Sequence, residues 1–444
     1  MPGTFTQELD TPSFKGTVSL STGLFINGQF VDPIEGATID IVTSVAEGTS
    51  KDVDLAVQAA KNVGKTRGLI LGKLADLIEA NADEFAALES LNVGTYAQSD
   101  IASVVRAFQY FAGWADKIHG KTIEVHESLM AYTRHEPFGV CGQIIPWNFP
   151  FVMLAWKIAP ALATGNTVVL KPSEVTPLTA LKFAGLLNEA GVPPGVVNIV
   201  VGYGHTVGQA ISEHPQIAKI LEASSRTNLK VVTLELGGKS PNIIFDDADL
   251  EQAVKWAAMG QVCAAGSRIF VQEGIYPKFI EAFAQAAKGI SSNAGDPFDN
   301  KTQHGPQVSQ TQFDRVMGYI ESGKKDGACL VAGGSKISSE GFFIEPTVFT
   351  DCDKDMKIVR EEIFGPVAVV IKFKDEAEVI EMANDTVYGL ACAVFTENGS
   401  RALRVAHALE AGTASSGIGR ELGEYALSTY TQVKAVQINL GIRL

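Results

Sequence analysis

Cysteine is scarce in this sequence. The 444 residues carry five, Cys141, Cys263, Cys329, Cys352 and Cys392, an odd number with no two close enough for CxxC chemistry. That fits a reducing compartment better than a disulfide framework. No His or Cys spacing resembles a zinc site and no HExxH occurs, so no metal is expected. Positive charge is in deficit: 36 Lys and Arg stand against 50 Asp and Glu, a net charge of −14. That balance argues against a nucleic-acid partner, which needs a surplus of cations to neutralise phosphates, and against an anionic membrane surface. No apolar run approaches 18 residues, so nothing is expected to span a bilayer. Residues 1–14 have no basic n-region, no apolar h-region and no Arg, so neither a secretory signal nor a mitochondrial transit peptide is expected, and the protein reads as cytoplasmic. Internal repeats, low-complexity stretches and long Pro- or Ser-rich linkers are also missing.

What is present is a chain rich in core. Hydrophobic residues make up 46% and charged residues 19%, which excludes disorder, and the length suggests two or three domains. The middle alternates between strand and helix. Gly139 to Ile145 is a short apolar run before a turn, and Thr167 to Leu170 is a β-branched run followed by Lys171-Pro172. Pro177 to Ala190 is helical in period and ends at Gly191, a good left-handed cap, and Val196 to Val201 is again a strand. A second such unit runs through Val367–Phe373, Asp375–Asn384, Leu390–Phe395 and Arg401–Leu409. The pattern predicts two doubly wound α/β domains with a cleft between them. The tail, Val433 to Ile438, alternates like a half-buried strand with no partner nearby in sequence, which suggests pairing with another subunit.

Six segments bear residues suited to chemistry. Gly202-Tyr203-Gly204-His205-Thr206-Val207-Gly208 follows a strand and opens a helix, like a dinucleotide fingerprint with one residue too many before the last Gly; alone it is weak and better read as a structural turn. Cys263 sits among small residues, Gly260 to Gly266, that leave room beside its sulfur, although a free Cys is commonly just buried. Pro146-Trp147-Asn148-Phe149-Pro150 lies just past a strand end, where open α/β sheets bind ligands; Asn148 can aim its amide at an oxyanion or cap the next helix. Lys171-Pro172-Ser173-Glu174 also follows a strand end, with Lys171 suited to a ribose or phosphate and Glu174 to ribose hydroxyls. Glu235 stands in the apolar, Gly-rich stretch Leu234 to Pro241, where a carboxylate is costly unless used and where desolvation favours a general base. Glu361-Glu362-Ile363-Phe364 adds an acidic turn before a strand.

With these motifs in this order the chain resembles the NAD(P)-dependent aldehyde dehydrogenase superfamily from about Leu24 to the C-terminus. The segment Ser416 to Gly423 is similar to the family too, and the broad-specificity, fungal-type enzymes are the nearest in flavour. The resemblance implies an aldehyde dehydrogenase-like α/β fold: a Rossmann-like NAD-binding domain over 1–118 and 138–237, a catalytic domain over 238–418, and a small β oligomerisation element from 119–137 and 419–444. It implies NAD as cofactor, a small-molecule aldehyde as substrate, and a homo-oligomer built as a dimer of dimers. Residue by residue, Cys263 matches the nucleophile and Glu235 the general base. Asn148 matches the oxyanion donor, with the backbone N–H of Cys263. Lys171 and Glu174 match the adenosine-ribose contacts, and Glu362 the nicotinamide-ribose contact with Phe364 beside the ring. Ile145, Pro146, Trp147 and Leu236 match residues at the cofactor, and Gly204 and Gly208 lie in a loop near the adenine side. Phe149, Met153 and Trp156, on one helix face, match the lining of the aldehyde tunnel, though by period alone they are equally plain core. No His partners Cys263, so thiolate formation is expected to depend on Glu235, the cofactor's positive ring and local dipoles.

Several family blocks are missing. A strand and a pyrophosphate-binding turn are expected between Lys219 and Leu221, an aromatic stretch between Met259 and Gly260, and a longer loop around Thr413 to Ser415; smaller losses fall near Asp40, Lys61 to Leu71 and Val93 to Ser99. Either the blocks belong to the protein, and consecutive Cα atoms at Ile220–Leu221 or a neighbouring bond, Met259–Gly260 and Thr413–Ala414 stand well beyond the roughly 3.8 Å of a trans peptide, or they are deleted and the chain is a non-catalytic scaffold of the same fold. The first reading is preferred, because losing a turn and a strand together would wreck the sheet. A third possibility, an acylating enzyme that passes the acyl group to coenzyme A, is disfavoured by Glu235, a hydrolytic base.

Overall fold

The computed structural model describes residues 2–40, 42–60, 66–94, 97–221, 230–257, 263–299, 301–412 and 416–440. They divide into two α/β units: Met1–Asn92 with Ala97–Leu234 and Gly419–Leu444, and Val93–Tyr96 with Glu235–Ile418.

The first unit is built on a parallel sheet whose strands lie in the order Val231–Glu235, Lys219–Leu221, Val140–Ile144, Thr167–Lys171 and Val197–Ile199. It continues antiparallel into the hairpin of Leu24–Ile26 and Gln29–Val31. The strands are near-continuous apolar runs because helices cover the sheet; Val168, Val169, Leu170, Ile199 and Ile220 have no exposure. From Val140–Ile144 the chain proceeds first to one side and then to the other. The reversal falls between that strand and Lys219–Leu221, which makes the carboxyl end of Val140–Ile144 a topological switch point. Lys219–Leu221 corrects an expectation. The strand thought to be lost is there, and Ile220 and Leu221 are consecutive in it, paired to Gly142 and Gln143 on one side and to Val232 and Thr233 on the other. A fully buried Ile220 between two parallel neighbours supplies the reason. The bond after Leu221 and the joins at Met259–Gly260 and Thr413–Ala414 lie outside the described residues.

The helix Leu178–Glu189 ends as its sequence demands, with Gly191 at φ +80°. The tail has a partner strand within the chain. Thr431–Asn439 pairs antiparallel with Leu129–Pro137 of its own chain, which pairs in turn with Thr122–His126, a three-stranded sheet apart from the main one. Apart from buried Thr431 and half-buried Val436 the tail strand is exposed, so its alternation does not mark a buried face. The C-terminal segment is further held by a deep ion pair: Lys157, 2% exposed within the helix Pro150–Ala163, meets Glu421 at 2.9 Å.

The second unit has its own sheet, in the order Cys329–Ala332, Thr347–Thr350, Val367–Phe373, Arg268–Gln272, Pro241–Ile244 and Ala393–Phe395, parallel except for the first strand. Its core packs Phe279 and Phe283 of the helix Tyr276–Ser292 under Ile269, Val271 and Val370, and Val316 and Ile320 of Gln310–Lys325 under Phe349 and Val369. Asp375 caps the helix Glu376–Asn384 by accepting the Glu378 N–H.

Candidate active site

In the second unit three loops enter three adjacent parallel strands from their amino ends. Glu235 to Ser240 leads into Pro241–Ile244, Cys263 to Ser267 into Arg268–Gln272, and Glu362 to Pro366 into Val367–Phe373. Adjacency of the strands brings the loops together. At their meeting point stand Gly237 and Gly238. Gly237 has φ +83°, and a Cβ there would lie 2.3 Å from the Glu362 carboxylate. The Gly238 N–H donates to Glu362 Oε1 at 3.0 Å, and a Cβ on Gly238 would lie 2.8 Å from the Cys263 carbonyl oxygen. Only glycine permits this approach, so the Gly pair is a seat for one acidic side chain and one Cys-bearing loop. Gly266 serves similarly beneath Cys263: a Cβ on it would strike the Asn242 side chain.

Cys263 is half-buried and its thiol is hydrogen-bonded to the Glu235 carboxylate. Burial first, and then the Glu235 charge and that hydrogen bond, push the thiol up to about 12. In the resting enzyme a carboxylate beside a desolvated thiol opposes a second negative charge. It is instead placed to accept the thiol's proton. Burial also raises Glu362 above the usual carboxylate range, against the pull of the Gly238 N–H. The backbone around it is fixed. The Glu362 carbonyl accepts from Arg315, and the Phe364 carbonyl accepts from Gln312 Nε2 at 2.7 Å. Phe364 itself has φ +61°, a sparsely populated conformation for an aromatic residue and a mark of a constrained site. Leu236 anchors through its N–H to the Ser416 carbonyl at 2.9 Å while its side chain is exposed.

In the first unit the switch point carries the other set. Ile145 is buried and its N–H donates to the Lys171 carbonyl, tying the two strand ends together. Pro146, Trp147, Asn148 and Phe149 follow, all half-buried. Phe149, not Asn148, holds the cap position of the helix Pro150–Ala163, which sets aside the capping alternative for Asn148. Lys171 is 3% exposed, and its ammonium donates to Glu174 Oε2 at 2.9 Å and to the Pro172 carbonyl. Gly204–Gly208 forms a single π-helical turn. The stem of Lys171 lies against Gly208, where a Cβ would meet it at 3.8 Å, and the Tyr203 and His205 rings stack, exposed, at the turn's start. Phe149 and Trp156 meet edge to face with centroids 6.3 Å apart, and Met153 between them in sequence is 4% exposed.

Sequence reasoning passed over two buried cations beside the cluster. Lys239 is 1% exposed and burial pushes it down to about 7. Arg268 is 2% exposed with its guanidinium spent on the carbonyls of Lys239, Met382 and Ala383. A charged residue inside an apolar run was the signal that could have found Lys239. Among the described residues no group of His, Cys, Asp and Glu is arranged to hold a metal, and no helix is long and apolar enough to cross a membrane.

The model of the aldehyde dehydrogenase family matches residues 26–415. The chain is 52% identical to an aldehyde dehydrogenase of Agaricus bisporus over 502 aligned positions, covering all of both chains, so that relative carries residues for which this chain has no counterpart. It is 48% identical to retinaldehyde dehydrogenase 3 of Rattus norvegicus, over 94% of this chain and 93% of the other. Among solved structures it is similar to the NAD+ complex of an aldehyde dehydrogenase from Bacillus cereus, with a TM-score of 0.92 and 45% identity over 95% of this chain and 97% of that one.

Proposed function

This chain belongs to the aldehyde dehydrogenase family, and from that premise we propose that it oxidises aldehydes to carboxylic acids with NAD through a covalent intermediate on Cys263. The observation that carries the proposal is the Cys263 thiol hydrogen-bonded to Glu235 beside the seated Glu362 carboxylate. The residues fit a dinucleotide: a carboxylate and an ammonium sit together at the strand ends of a parallel sheet, with a Gly turn against the ammonium stem. Lys171 and Glu174 would hold the adenosine ribose, Glu362 the nicotinamide ribose with Phe364 at the ring, and Ile145, Pro146, Trp147, Leu236, Gly204 and Gly208 would complete the lining. When bound, NAD supplies the hydride acceptor.

The protein's own part follows from its groups. Glu235 takes the thiol proton as the sulfur attacks the aldehyde carbon, giving a thiohemiacetal whose oxyanion is held by the Asn148 amide and the Cys263 backbone N–H. Loss of the hydride to that acceptor would leave a thioester on Cys263, and Glu235, once it has released the thiol's proton to solvent, deprotonates the water that hydrolyses it. Phe149, Met153 and Trp156 offer an apolar wall with no cation, which favours uncharged aliphatic or aromatic aldehydes. The 1–118 and 138–237 segments act as the NAD-binding domain, 238–418 as the catalytic domain, and 119–137 with 419–444 as the oligomerisation element of a cytoplasmic homotetramer, a dimer of dimers. Similarity at about half identity over the full chain does not favour a non-catalytic scaffold.

The test is Cys263→Ala. Single-turnover NADH formation from acetaldehyde should vanish while NADH binding, read by fluorescence, stays near wild type. NADH at near wild-type yield from the variant would remove Cys263 from the reaction. Wild-type turnover that depends on added coenzyme A would reassign the enzyme to the acylating class.

A further inference from the structure

The helix Pro150–Ala163 begins without a cap of its own. Phe149 at the cap position makes no side-chain bond, and Pro150 has no N–H to give. The first available N–H, that of Phe151, is taken from a distance by Glu89 of the helix Ala82–Val93, whose Oε1 accepts it at 3.0 Å. Glu89 is 1% exposed. Burial pushes it up to about 7, with the nearby Asp100 charge adding to the rise and the Phe151 N–H, Thr179 and Asn92 drawing it down. A carboxylate buried this deeply is retained where its bonds are needed.

Asn92, one turn further along, serves a second helix start in the same way. Its Oδ1 faces the Leu178 N–H at 3.4 Å, and its Nδ2 donates to the Thr176 carbonyl at 3.2 Å and to Thr179 Oγ1 at 3.1 Å. The helix Leu178–Glu189 likewise has no side-chain cap of its own, since Pro177 occupies that position. The two holders are joined: Asn92 Nδ2 lies 3.5 Å from Glu89 Oε2, and the Thr179 hydroxyl bonds to Glu89. One buried turn of the helix Ala82–Val93 therefore fixes where two other helices begin. One of these follows directly on Asn148 and the other follows shortly after Lys171 and Glu174.

We infer that Glu89 and Asn92 are positioning residues for the reaction, Glu89 setting the Asn148 turn and Asn92 setting the Lys171–Glu174 turn. The inference rests on the roles proposed above for Asn148, Lys171 and Glu174. A reacting geometry is sensitive to small displacements, so a lost anchor at a helix start reaches the group on the preceding turn.

The experiment compares Glu89→Ala, Glu89→Gln, Asn92→Ala, Asn148→Ala and the Glu89→Ala/Asn148→Ala double variant. Glu89→Ala should lower kcat about tenfold with KM for NAD unchanged, and should speed amide exchange over residues 148–156 in the enzyme without cofactor. Glu89→Gln, which keeps an acceptor for Phe151, should recover most of the activity and serves if the Ala variant does not fold. In the Asn148→Ala background, Glu89→Ala should cost nothing further in kcat, because it acts through Asn148. Asn92→Ala should weaken NADH binding several-fold by fluorescence titration, a readout that needs no turnover. Additive losses in the double variant would overturn the Glu89 half, and wild-type NADH affinity in Asn92→Ala would overturn the other. If Asn148→Ala itself keeps full kcat, the reading of Asn148 fails and takes the Glu89 half with it, while NADH binding still decides Asn92.

Discussion

Replacing Glu235 by Gln should move two properties of the enzyme in opposite directions. In the resting enzyme the Cys263 thiol is raised from 9.0 to about 12, which at about 1.4 kcal/mol per tenfold change weighs on the order of 4 kcal/mol against the thiolate. At pH 8 only about one sulfur in ten thousand is then ionised. Burial is the largest cause and survives the substitution; the Glu235 charge and its hydrogen bond are the next two and do not. Returning roughly one of the three powers of ten, Glu235→Gln should make Cys263 react with iodoacetamide about tenfold faster between pH 7.5 and 9. The rate in both proteins should climb with pH, since a raised thiol gains its charge only as protons become scarce. Exposed Cys329 will react as well, so the Cys263 peptide is followed by mass spectrometry. Steady-state turnover should nevertheless collapse after a burst of NADH, leaving an acyl-enzyme detectable by mass, because no base remains to activate water. Slower alkylation in the Gln variant would refute the reasoning: it would mean that Glu235 already draws the proton from Cys263 before substrate arrives.

Three further tests probe other parts of the structure. NADP should be used at least about tenfold less efficiently than NAD, since a 2′-phosphate near the Glu174 carboxylate meets a like charge costing roughly 1 kcal/mol or more; equal kcat/KM for the two cofactors would show that Glu174 points elsewhere. Gly237→Ala should cost more activity than stability, because its Cβ would displace the Glu362 carboxylate and its φ of +83° would be strained by about 1 kcal/mol; unaltered kcat and KM for NAD would count against the seat. Glu421→Gln should lower unfolding stability by about 2 kcal/mol by removing the Glu421 charge from buried Lys157, with Lys157→Met restoring most of it in the double variant; equal denaturation midpoints for wild type and Glu421→Gln would dismiss that ion pair as a stabilising feature.

Much of this was written locally in the chain. The strand Val367–Phe373 appears with the bounds its β-branched run predicts, and Asp375 and Gly191 punctuate helices as their residue types require. Other strands are shorter than their apolar runs, Val197–Ile199 within Val196–Val201 and Ala393–Phe395 within Leu390–Phe395. What stayed hidden was non-local. Lys219–Leu221 is three residues long and exists as a strand only because neighbours on both sides pair with it. The tail's partner lies too far away for any pattern in the tail to name it. In the candidate site, Cys263, Glu235 and Glu362 were legible as unusual residues in Gly-rich turns. Their convergence at the amino ends of adjacent strands was not, since the general rule points to carboxyl ends. Glu89 was invisible for a plainer reason: a Glu in a helix reads as a solvated face until burial shows otherwise.

The pairing of the tail with Leu129–Pro137 has a bearing on how the protein is made. Lys434 and Glu136 face each other across 298 residues of chain, and Glu421 reaches Lys157 across 264. A ribosome must therefore carry the chain past both main sheets before the first unit can close its outer sheet or bring Glu421 to Lys157 in the Pro150–Ala163 helix. Until then the strand Leu129–Pro137 offers an unpaired edge, the kind of surface that recruits other chains. A message cut short before residue 419 would encode a complete second unit and a first unit that stays in this unsealed state. Such a product should be a substrate for chaperones and proteases rather than a weak enzyme, and final assembly should be timed by the appearance of residues 419–440 rather than by the speed of either sheet.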